Sequence, residues 1–364
     1  MKKLSLYSFL MVLSLLTVSN AYAYDLEVDG IYYDLNMDNY TATVTSGTNK
    51  YAGDVVIPSK ITYKTVDFNV VKIANSAFYS CKDLKSVSIG EGVTSIGSDA
   101  FCASTNLVSV SMPSTVKAIG SGAFFQCFAL VKADLPEGIE VIEHSTFCDC
   151  KKLEEIKIPS TVKRIGSQAF SGCKSVKKIF IPKAVEYIDG NGFGRLALEE
   201  LVVEDGDNEL RVTDWTFYYT STETFYIGRP VTANMFFERN KTKTLILGPN
   251  LKKWYYSYTG TGVTKVISKI TDPSQLVPVF DSITYLDAEL IVPNGTLELY
   301  KADENWKKFL SISEEGTGTA IESVNAGQVT NDKLMFNLGG MRNSGSGKGI
   351  SIIRENGKVR KVVR

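Results

Sequence analysis

A 23-residue period dominates the hydrophobic pattern in the middle of this chain. Phenylalanine recurs at that interval in six copies, and alanine precedes it in four of them. In the first five copies a cysteine or serine follows three residues later, and a leucine or valine three residues after that. Self-similarity at a fixed period of about 20 to 50 residues is typical of a solenoid of stacked turns. The periodic residues are Phe78, Phe101, Phe124, Phe147, Phe170 and Phe193.

Each repeat predicts a tight turn followed by a short strand. The spacing of three indicates a helical or 3₁₀-like turn, whereas paired apolar residues two apart, such as Val87 with Ile89, indicate a strand with one face inward. Proline closes four of these strands because it cannot donate to a further ladder bond. Equivalent strands would stack about 4.8 Å apart in a parallel sheet. One repeat buries too little apolar surface to offset its lost backbone entropy, so the turns must fold as a stack.

The repeat unit between Val71 and Phe193 resembles the BspA-like class of leucine-rich repeats. Its consensus is Ala-Phe-x-x-Cys-x-x-Leu-x-x-Val-x-Ile-Pro-x-x-Val-x-x-Ile-Gly. The resemblance implies a β-rich repeat solenoid with short helical or 3₁₀ turns, and a place among secreted or cell-surface proteins of bacteria. The unit lacks the asparagine column that follows the strand in the commonest leucine-rich pattern. A parallel β-helix therefore stays open as the alternative fold.

The flanking segments extend this organisation. Residues 24–70 contain an Asp29-Gly30 turn signal between alternating segments, which predicts an N-terminal β-hairpin cap over the open solenoid end. The solenoid is expected over residues 71–313: it is regular over 71–193, irregular over 194–291, and closed by a strand and a helix over 292–313. Residues 314–364 read as a linker and a C-terminal β-hairpin tail with its turn at Asn356-Gly357. The tail resembles short segments of exported bacterial proteins, some of which are sorting signals.

The first 23 residues predict a signal peptide. Lys2 and Lys3 precede a short apolar run, and Ala21-Tyr22-Ala23 supplies small residues at a cleavage site. The mature protein is therefore expected to be exported, to the cell surface, the medium or the periplasm, without an integral membrane segment. Its 38 basic and 40 acidic residues leave a charge near zero, which gives no long-range attraction to nucleic acid.

Few residues carry the patterns that catalysis or metal binding requires. The only histidine, His144, occupies a repeat position held elsewhere by serine, and no nucleophile motif accompanies it. Adjacent acids such as Glu154 and Glu155 point to opposite faces of a strand, which makes a glycan hydrolase the least favoured function. We predict no catalytic residues, no cofactor and no metal. Three successive turns place a cysteine in one inward column, where buried free thiols are favoured over a disulfide: Cys127, Cys150 and Cys173.

The sequence instead indicates function through residues on the protein surface. One residue per strand faces outward between the two inward positions, and aromatic residues are concentrated between Trp215 and Tyr258. We predict a non-enzymatic protein that binds an extracellular protein, from a host or a bacterium, through its sheet face; the resemblance adds adhesion. The alternative is glycan binding on an exposed aromatic platform. The candidate binding residues are Asp134, Lys157, Phe180, Tyr218, Tyr219, Tyr226, Tyr255 and Tyr256.

Overall fold

The computed structural model describes residues 24–213, 215–232, 242–253 and 262–316, and the backbone of three strands between residues 334 and 363. The predicted signal peptide lies outside the described residues. The chain divides into two compact units. Unit 1 comprises Met1–Val176 and Asp189–Leu196, and unit 2 comprises Lys177–Ile188 and Ala197–Arg364. Both are β-solenoids, as the repeat predicts.

Unit 1 begins with an antiparallel cap. The strands β1, β2 and β3 pair antiparallel in chain order, and β3 then pairs parallel with β6, which leads into β8 and β10. A second parallel sheet has the order β11-β9-β7-β4, and β12 pairs parallel with β13. The strands of unit 1 are β1 (Leu26–Val28), β2 (Ile31–Asn36), β3 (Thr41–Thr45), β4 (Gly53–Ile57), β5 (Lys60–Tyr63), β6 (Val66–Ile73), β7 (Leu84–Ile89), β8 (Ser95–Ile96), β9 (Ser109–Ser111), β10 (Ala118–Ile119), β11 (Lys132–Ala133), β12 (Val141–Ile142) and β13 (Arg164–Ile165).

The six periodic phenylalanines form one buried spine in unit 1, which confirms the register that the sequence predicts. All are at most 1% exposed. Neighbouring ring centroids lie 4.8–5.5 Å apart, and the ring planes differ by 1–18°. Because the interval is constant, each ring stacks on the ring of the next turn. The spine continues into the cap through Tyr51, whose ring lies 4.2 Å from that of Phe78.

The segment around each phenylalanine forms tight turns, and no helix is assigned there in the described part of unit 1. Ser145 and Asp149 flank Phe147 in the left-handed region, with φ of 53° and 58°. Every second amide donates to the next turn, as Phe147 N does to the Ala169 carbonyl at 2.8 Å. The amides in between donate three residues back, as Cys150 N does to the Phe147 carbonyl. The spacing of three thus corresponds to consecutive 3₁₀-like turns. Every second amide of this segment also forms a hydrogen bond to the next turn of the solenoid.

The cysteine column works as a set of hydrogen-bond donors. All six cysteines are free and buried. The Cys150 thiol donates to the Phe124 carbonyl of the preceding turn at 3.1 Å, and Cys127 and Cys173 repeat this contact. Ser104, at the same repeat position, makes the equivalent bond at 2.7 Å. Serine can therefore replace cysteine in this column, because either side chain can donate a hydrogen bond to the preceding turn.

We expect the native thiols to be inert at pH 8. Burial, and to a smaller degree a neighbouring aspartate, raises the pKa of Cys102 and of Cys148 to about 11. Burial raises the pKa of Cys127, Cys150 and Cys173 still further. Because only the thiolate alkylates, iodoacetamide should modify none of the six in the native protein and all six after denaturation, as counted by mass spectrometry.

The raised pKa values of the buried thiols make the free energy of unfolding depend on pH. Above about pH 9 the unfolded thiols ionise while the folded thiols stay protonated, so the unfolded state binds fewer protons and the free energy of unfolding should fall. A Cys127→Ser, Cys150→Ser, Cys173→Ser variant is the control, since serine keeps the donor and does not titrate in this range. An equal alkaline decline in both proteins would contradict the assignment.

Unit 2 carries a seven-stranded parallel sheet in the order β14-β16-β18-β20-β21-β22-β23. A second parallel set, β15-β17-β19, runs beside it. The strands are β14 (Lys178–Ile181), β15 (Tyr187–Ile188), β16 (Ala197–Val203), β17 (Leu210–Val212), β18 (Ser221–Ile227), β19 (Val231–Thr232), β20 (Thr242–Leu247), β21 (Lys265–Ser268), β22 (Glu289–Val292) and β23 (Ser311–Glu314).

Short helices connect the last strands of unit 2. The α-helices span Ser282–Asp287 and Leu297–Ala302, and 3₁₀ helices span Pro273–Gln275 and Trp306–Lys308. The C-terminal strands β24 (Leu334–Asn337), β25 (Ile350–Glu355) and β26 (Lys358–Val363) pair antiparallel in that order. No helix among the described residues is long and apolar enough to cross a membrane. The boundaries of the predicted domains stay predictions.

Candidate binding surface on the outer sheet face

One column of outward side chains runs along the seven-stranded sheet of unit 2. Alternation along each strand sends its neighbours inward: Leu201 and Val203 are at most 1% exposed, and Val202 lies between them on the other face. Parallel pairing keeps the outward positions in register, about 4.8 Å apart from strand to strand. The outer column consists of Phe180, Val202, Tyr226, Ile246, Ile267, Ile291 and Ser313.

A polar column lies two residues earlier on the same face. Lys178 Nζ lies 3.1 Å from the Glu200 carboxylate, and Lys265 Nζ lies 3.9 Å from that of Glu289. Threonines occupy the two strands between these pairs. Both pairs are only partly exposed, since the side chains of Glu200 and Lys265 are 14% and 26% exposed. Their arrangement beside the apolar column gives the face an apolar centre with a charged border, which is the usual anatomy of a protein interface.

Exposure varies along the outer column. Phe180 is 40% exposed, and Ile267 and Ile291 are half-buried. Val202 and Tyr226 are only 7% and 8% exposed, because they pack with Ile246 and Ile267 in a hydrophobic cluster of their own. The prediction that Tyr226 presents an exposed ring is therefore corrected. The accessible apolar positions of the face are Phe180 and the two isoleucines nearer β23.

The Tyr226 hydroxyl is held by an aspartate on the same face. It lies 2.9 Å from both carboxylate oxygens of Asp205, and burial together with this contact raises the pKa of Tyr226. Gly228 and Gly248, which directly follow β18 and β20, leave room for this contact. A Cβ on Gly248 would come within 2.5 Å of the Asp205 carboxylate and 3.0 Å of the Tyr226 hydroxyl. The acidic loop at residues 205–209 is thus anchored to the sheet by this contact.

Asp134 and Lys157 lie in unit 1. Asp134 immediately follows β11, is exposed, and forms a 2.9 Å ion pair with Lys132. Lys157 is exposed beside Ile156, which makes an isolated bridge. Both therefore stand on the outer side of their turns, as the alternation predicts. Their part in binding stays a prediction.

Three aromatic residues form a separate exposed cluster in unit 2. The Trp215 and Tyr218 rings meet edge to face with centroids 4.9 Å apart, and those of Tyr218 and Tyr219 are 4.2 Å apart. Trp215 is 41% and Tyr219 52% exposed. This cluster belongs to a turn segment around Phe217 and not to the sheet face. Tyr255 and Tyr256, the remaining predicted platform residues, lie outside the described residues.

A buried arginine in unit 2 went unnoticed in the sequence. Arg229 is fully buried, and its Nη2 donates to the carbonyls of Pro182 at 3.0 Å and Val185 at 2.7 Å. Its Nε and Nη1 have no hydrogen-bond partner. Burial lowers the pKa of the guanidinium, although the charges of Glu204 and Glu186 oppose the shift. The only sequence feature beside it is the short interval between Ile227, which ends β18, and Val231, which begins β19.

Groups suited to chemistry are scattered in the described part of the chain. There, no cluster of three or more histidine, cysteine or acidic side chains could hold a metal ion. His144 is exposed, and its Nε2 lies 3.1 Å from the hydroxyl of the adjacent Ser145.

Stacked turns, parallel sheets and a buried aromatic spine define a β-solenoid repeat protein. The model of the BspA type leucine rich repeat region matches residues 71–199 and 140–261, with six copies. The chain belongs to the BspA type leucine-rich repeat family. This finding confirms the resemblance that the repeat consensus carries.

Solved structures of leucine-rich proteins are similar to parts of the chain. A leucine rich repeat protein of T. pallidum is 29% identical, with a TM-score of 0.43, over 49% of this chain and 84% of its own. A leucine rich cell surface protein of Faecalibacterium prausnitzii is 20% identical, with a TM-score of 0.46, over 81% and 95%. A leucine-rich repeat protein of Bacteroides ovatus is 19% identical, with a TM-score of 0.44, over 76% and 81%. A search of curated protein sequences gives no match.

Proposed function

We propose that this protein is a non-enzymatic binding protein of the bacterial exterior, which holds an extracellular protein on the outer face of the β14–β23 sheet. The observation that carries the proposal is the in-register apolar column, accessible at Phe180, Ile267 and Ile291 and bordered by charged pairs. An apolar centre with a polar rim suits protein partners, whose aromatic and aliphatic anchors carry most of the binding energy.

The proposed location rests on the first 23 residues and on the family. The first 23 residues have the charge, length and small-residue pattern of a signal peptide. The family supports a place at the cell surface, with the periplasm as the other compartment that export would reach. Adhesion to a host protein is the specific role that we propose within this class. Expression of the full chain, followed by cell fractionation and N-terminal sequencing, tests cleavage after Ala23.

We expect substitution of the accessible column to abolish partner binding without unfolding the protein. Mature chain carrying Phe180→Ser and Ile291→Ser should capture at least tenfold less of its partner from host extracellular-matrix and mucus extracts than wild type, because the apolar centre is lost. Quantitative mass spectrometry of the captured proteins measures the effect, and circular dichroism confirms folding.

The matched control is Tyr79→Ser. Tyr79 is 45% exposed and aromatic, but it lies on a turn segment of unit 1 away from the sheet faces. Its loss should leave capture unchanged. Equal capture by the Phe180→Ser, Ile291→Ser variant and by wild type would rule out this face as the binding surface.

Glycan binding is the second candidate, and the Trp215–Tyr219 cluster favours it. Trp215 and Tyr219 have φ of 68° and 54°, at positions where the other turns place mostly small or polar residues. Bulky residues rarely adopt this conformation, and such strain concentrates at functional sites. We expect a binding polysaccharide to quench tryptophan fluorescence, and Tyr219→Ala to weaken binding at least tenfold on a glycan array. Unchanged binding by Tyr219→Ala, with Phe180→Ser as the control, would dismiss the cluster.

A further inference from the structure

The N-terminal cap extends one sheet of unit 1 and leaves the β11-β9-β7-β4 sheet uncapped at β4. The antiparallel strands β1–β3 extend the sheet that contains β6, β8 and β10. The other sheet has the order β11-β9-β7-β4, so that among the described residues β4 has a neighbour on one side only. An open strand edge presents unpaired amides and carbonyls, which is a template for another strand.

The hydrogen bonds of β4 identify the groups that remain free. Gly53 N donates to the Asp83 carbonyl at 2.9 Å, and the Ile57 carbonyl accepts from Gly90 N at 2.8 Å. Residues 53, 55 and 57 thus direct their main-chain groups to the β7 side. Asp54 and Val56 direct theirs the opposite way, about 6.6 Å apart, and no described group bonds to them.

The residues that carry these free groups, Asp54 and Val56, line an open cleft. A cleft of about 730 Å³ lies beside β4, and its lining includes Asp54 and Val56 together with Val28 to Tyr33 of the β1–β2 hairpin. That volume lies within the range of ligand-binding pockets. The Val56 side chain is 68% exposed beside it.

We propose that this cleft binds an extended peptide, which adds to β4 as a new edge strand. Main-chain bonds to Asp54 and Val56 would supply affinity, and side chains at alternate positions would contact Val56 and the hairpin wall. The register shift at Gly53/Asp54 and Pro58, just beyond β4, limit the open stretch to a short strand. The site is separate from the proposed sheet-face interface and does not depend on it.

A single peptide fits this geometry better than a second copy of the chain. If the β4 strands of two copies paired edge to edge, the rest of the second copy's sheet would have to occupy the cleft. The β1–β2 hairpin of the first copy, which also lines that cleft, would obstruct it. The lining contains two basic residues, Lys50 and Lys60, and two acidic ones, Asp29 and Asp54. These charges balance, so the cleft should not favour a strongly charged peptide. We therefore expect peptides with alternating apolar residues to be preferred.

The experiment selects random decapeptides from an mRNA-display library on the mature protein and measures the enriched peptides by fluorescence anisotropy. Val56→Pro deletes an amide that faces the cleft and leaves the β7 ladder intact, so we expect at least tenfold weaker binding. Val56→Ala is the matched control, since it keeps the amide, and its affinity should stay within about threefold of wild type.

Hydrogen exchange gives a readout that does not require the proline variant to fold. Amides of Asp54 and Val56 should exchange fast in the free protein and slow with peptide bound, while Val55 and Ile57 stay slow in both. N-methylating the peptide at the residues that face β4 should abolish the slowing. The proposal is overturned if no peptide is enriched, if Asp54 and Val56 are already protected in the free protein, or if Val56→Pro folds and binds as wild type. Loss of sheet-face capture in Phe180→Ser, Ile291→Ser with peptide binding intact would separate the two sites.

Discussion

Phe147→Ala is expected to lower the free energy of unfolding by about 3–5 kcal/mol, the usual range for truncating a buried phenylalanine. The ring is 1% exposed and stacks between Phe124 and Phe170, with centroids 5.1 and 5.5 Å away. Its removal leaves a cavity in mid-spine and weakens two interfaces between turns, which supply most of the stability of a repeat array. Guanidinium denaturation followed by circular dichroism measures the change.

Phe180→Ala is the matched control for the spine prediction. Phe180 is 40% exposed on the outer face, so its truncation should cost less than about 1.5 kcal/mol. Similar losses for both variants would mean that the spine is not the main source of stability. A Phe147→Leu variant should fall between the two, since it fills most of the cavity.

The repeat pattern predicted the inner columns because the same interval recurs wherever the turns stack in register. Phe217 shows the limit of that logic. It is 1% exposed and flanked by left-handed Trp215 and Tyr219, as Phe147 is by Ser145 and Asp149. It follows Phe193 by 24 residues, so a strict period of 23 passes it over. One inserted residue is absorbed in a loop without disturbing the turn.

The outer face was harder to predict than the core. Alternation along the strands places one residue of each strand on that face, such as Val202 and Tyr226, but it carries no information about burial there. Burial arises because Ile246 and Ile267 fall in register from turns whose repeats are irregular. The accessible part of the candidate site on this face therefore keeps the predicted Phe180, loses Tyr226 and gains Ile267 and Ile291. Arg229 likewise follows from a shortened turn and not from any motif.

The cap illustrates a further limit of sequence patterns. The Asp29-Gly30 turn signal predicts a hairpin, and β1 and β2 form one. Local pattern does not say which of two sheets the hairpin extends, because that depends on long-range pairing of β3 with β6. The open edge at β4, on which the peptide-binding proposal rests, could be recognised only from the sheet order.

Trp306→Ala is expected to cost unit 2 about 3–5 kcal/mol and to loosen its last strands first. Trp306 is fully buried, its ring meets Tyr300 with centroids 5.0 Å apart, and its indole Nε1 donates to the carbonyls of Pro273 and Leu276 at 3.1 and 3.2 Å. The side chain thus ties the closing helices to the turn before them. Denaturation gives the stability change, and hydrogen exchange should show β22 and β23 losing protection before β16.

Two further variants separate packing from hydrogen bonding at this site. Trp306→Phe keeps most of the ring but loses the indole donor, so we expect a cost of about 1–3 kcal/mol. Leu299→Ala, in the same region but 55% exposed, should change stability by less than about 1 kcal/mol. Equal protection of β16 and β23 in Trp306→Ala would mean that the end of the array unfolds together with its centre. The closing segment would then be an integral part of one cooperative unit, because its loss would be felt equally along the whole sheet that carries the outer column.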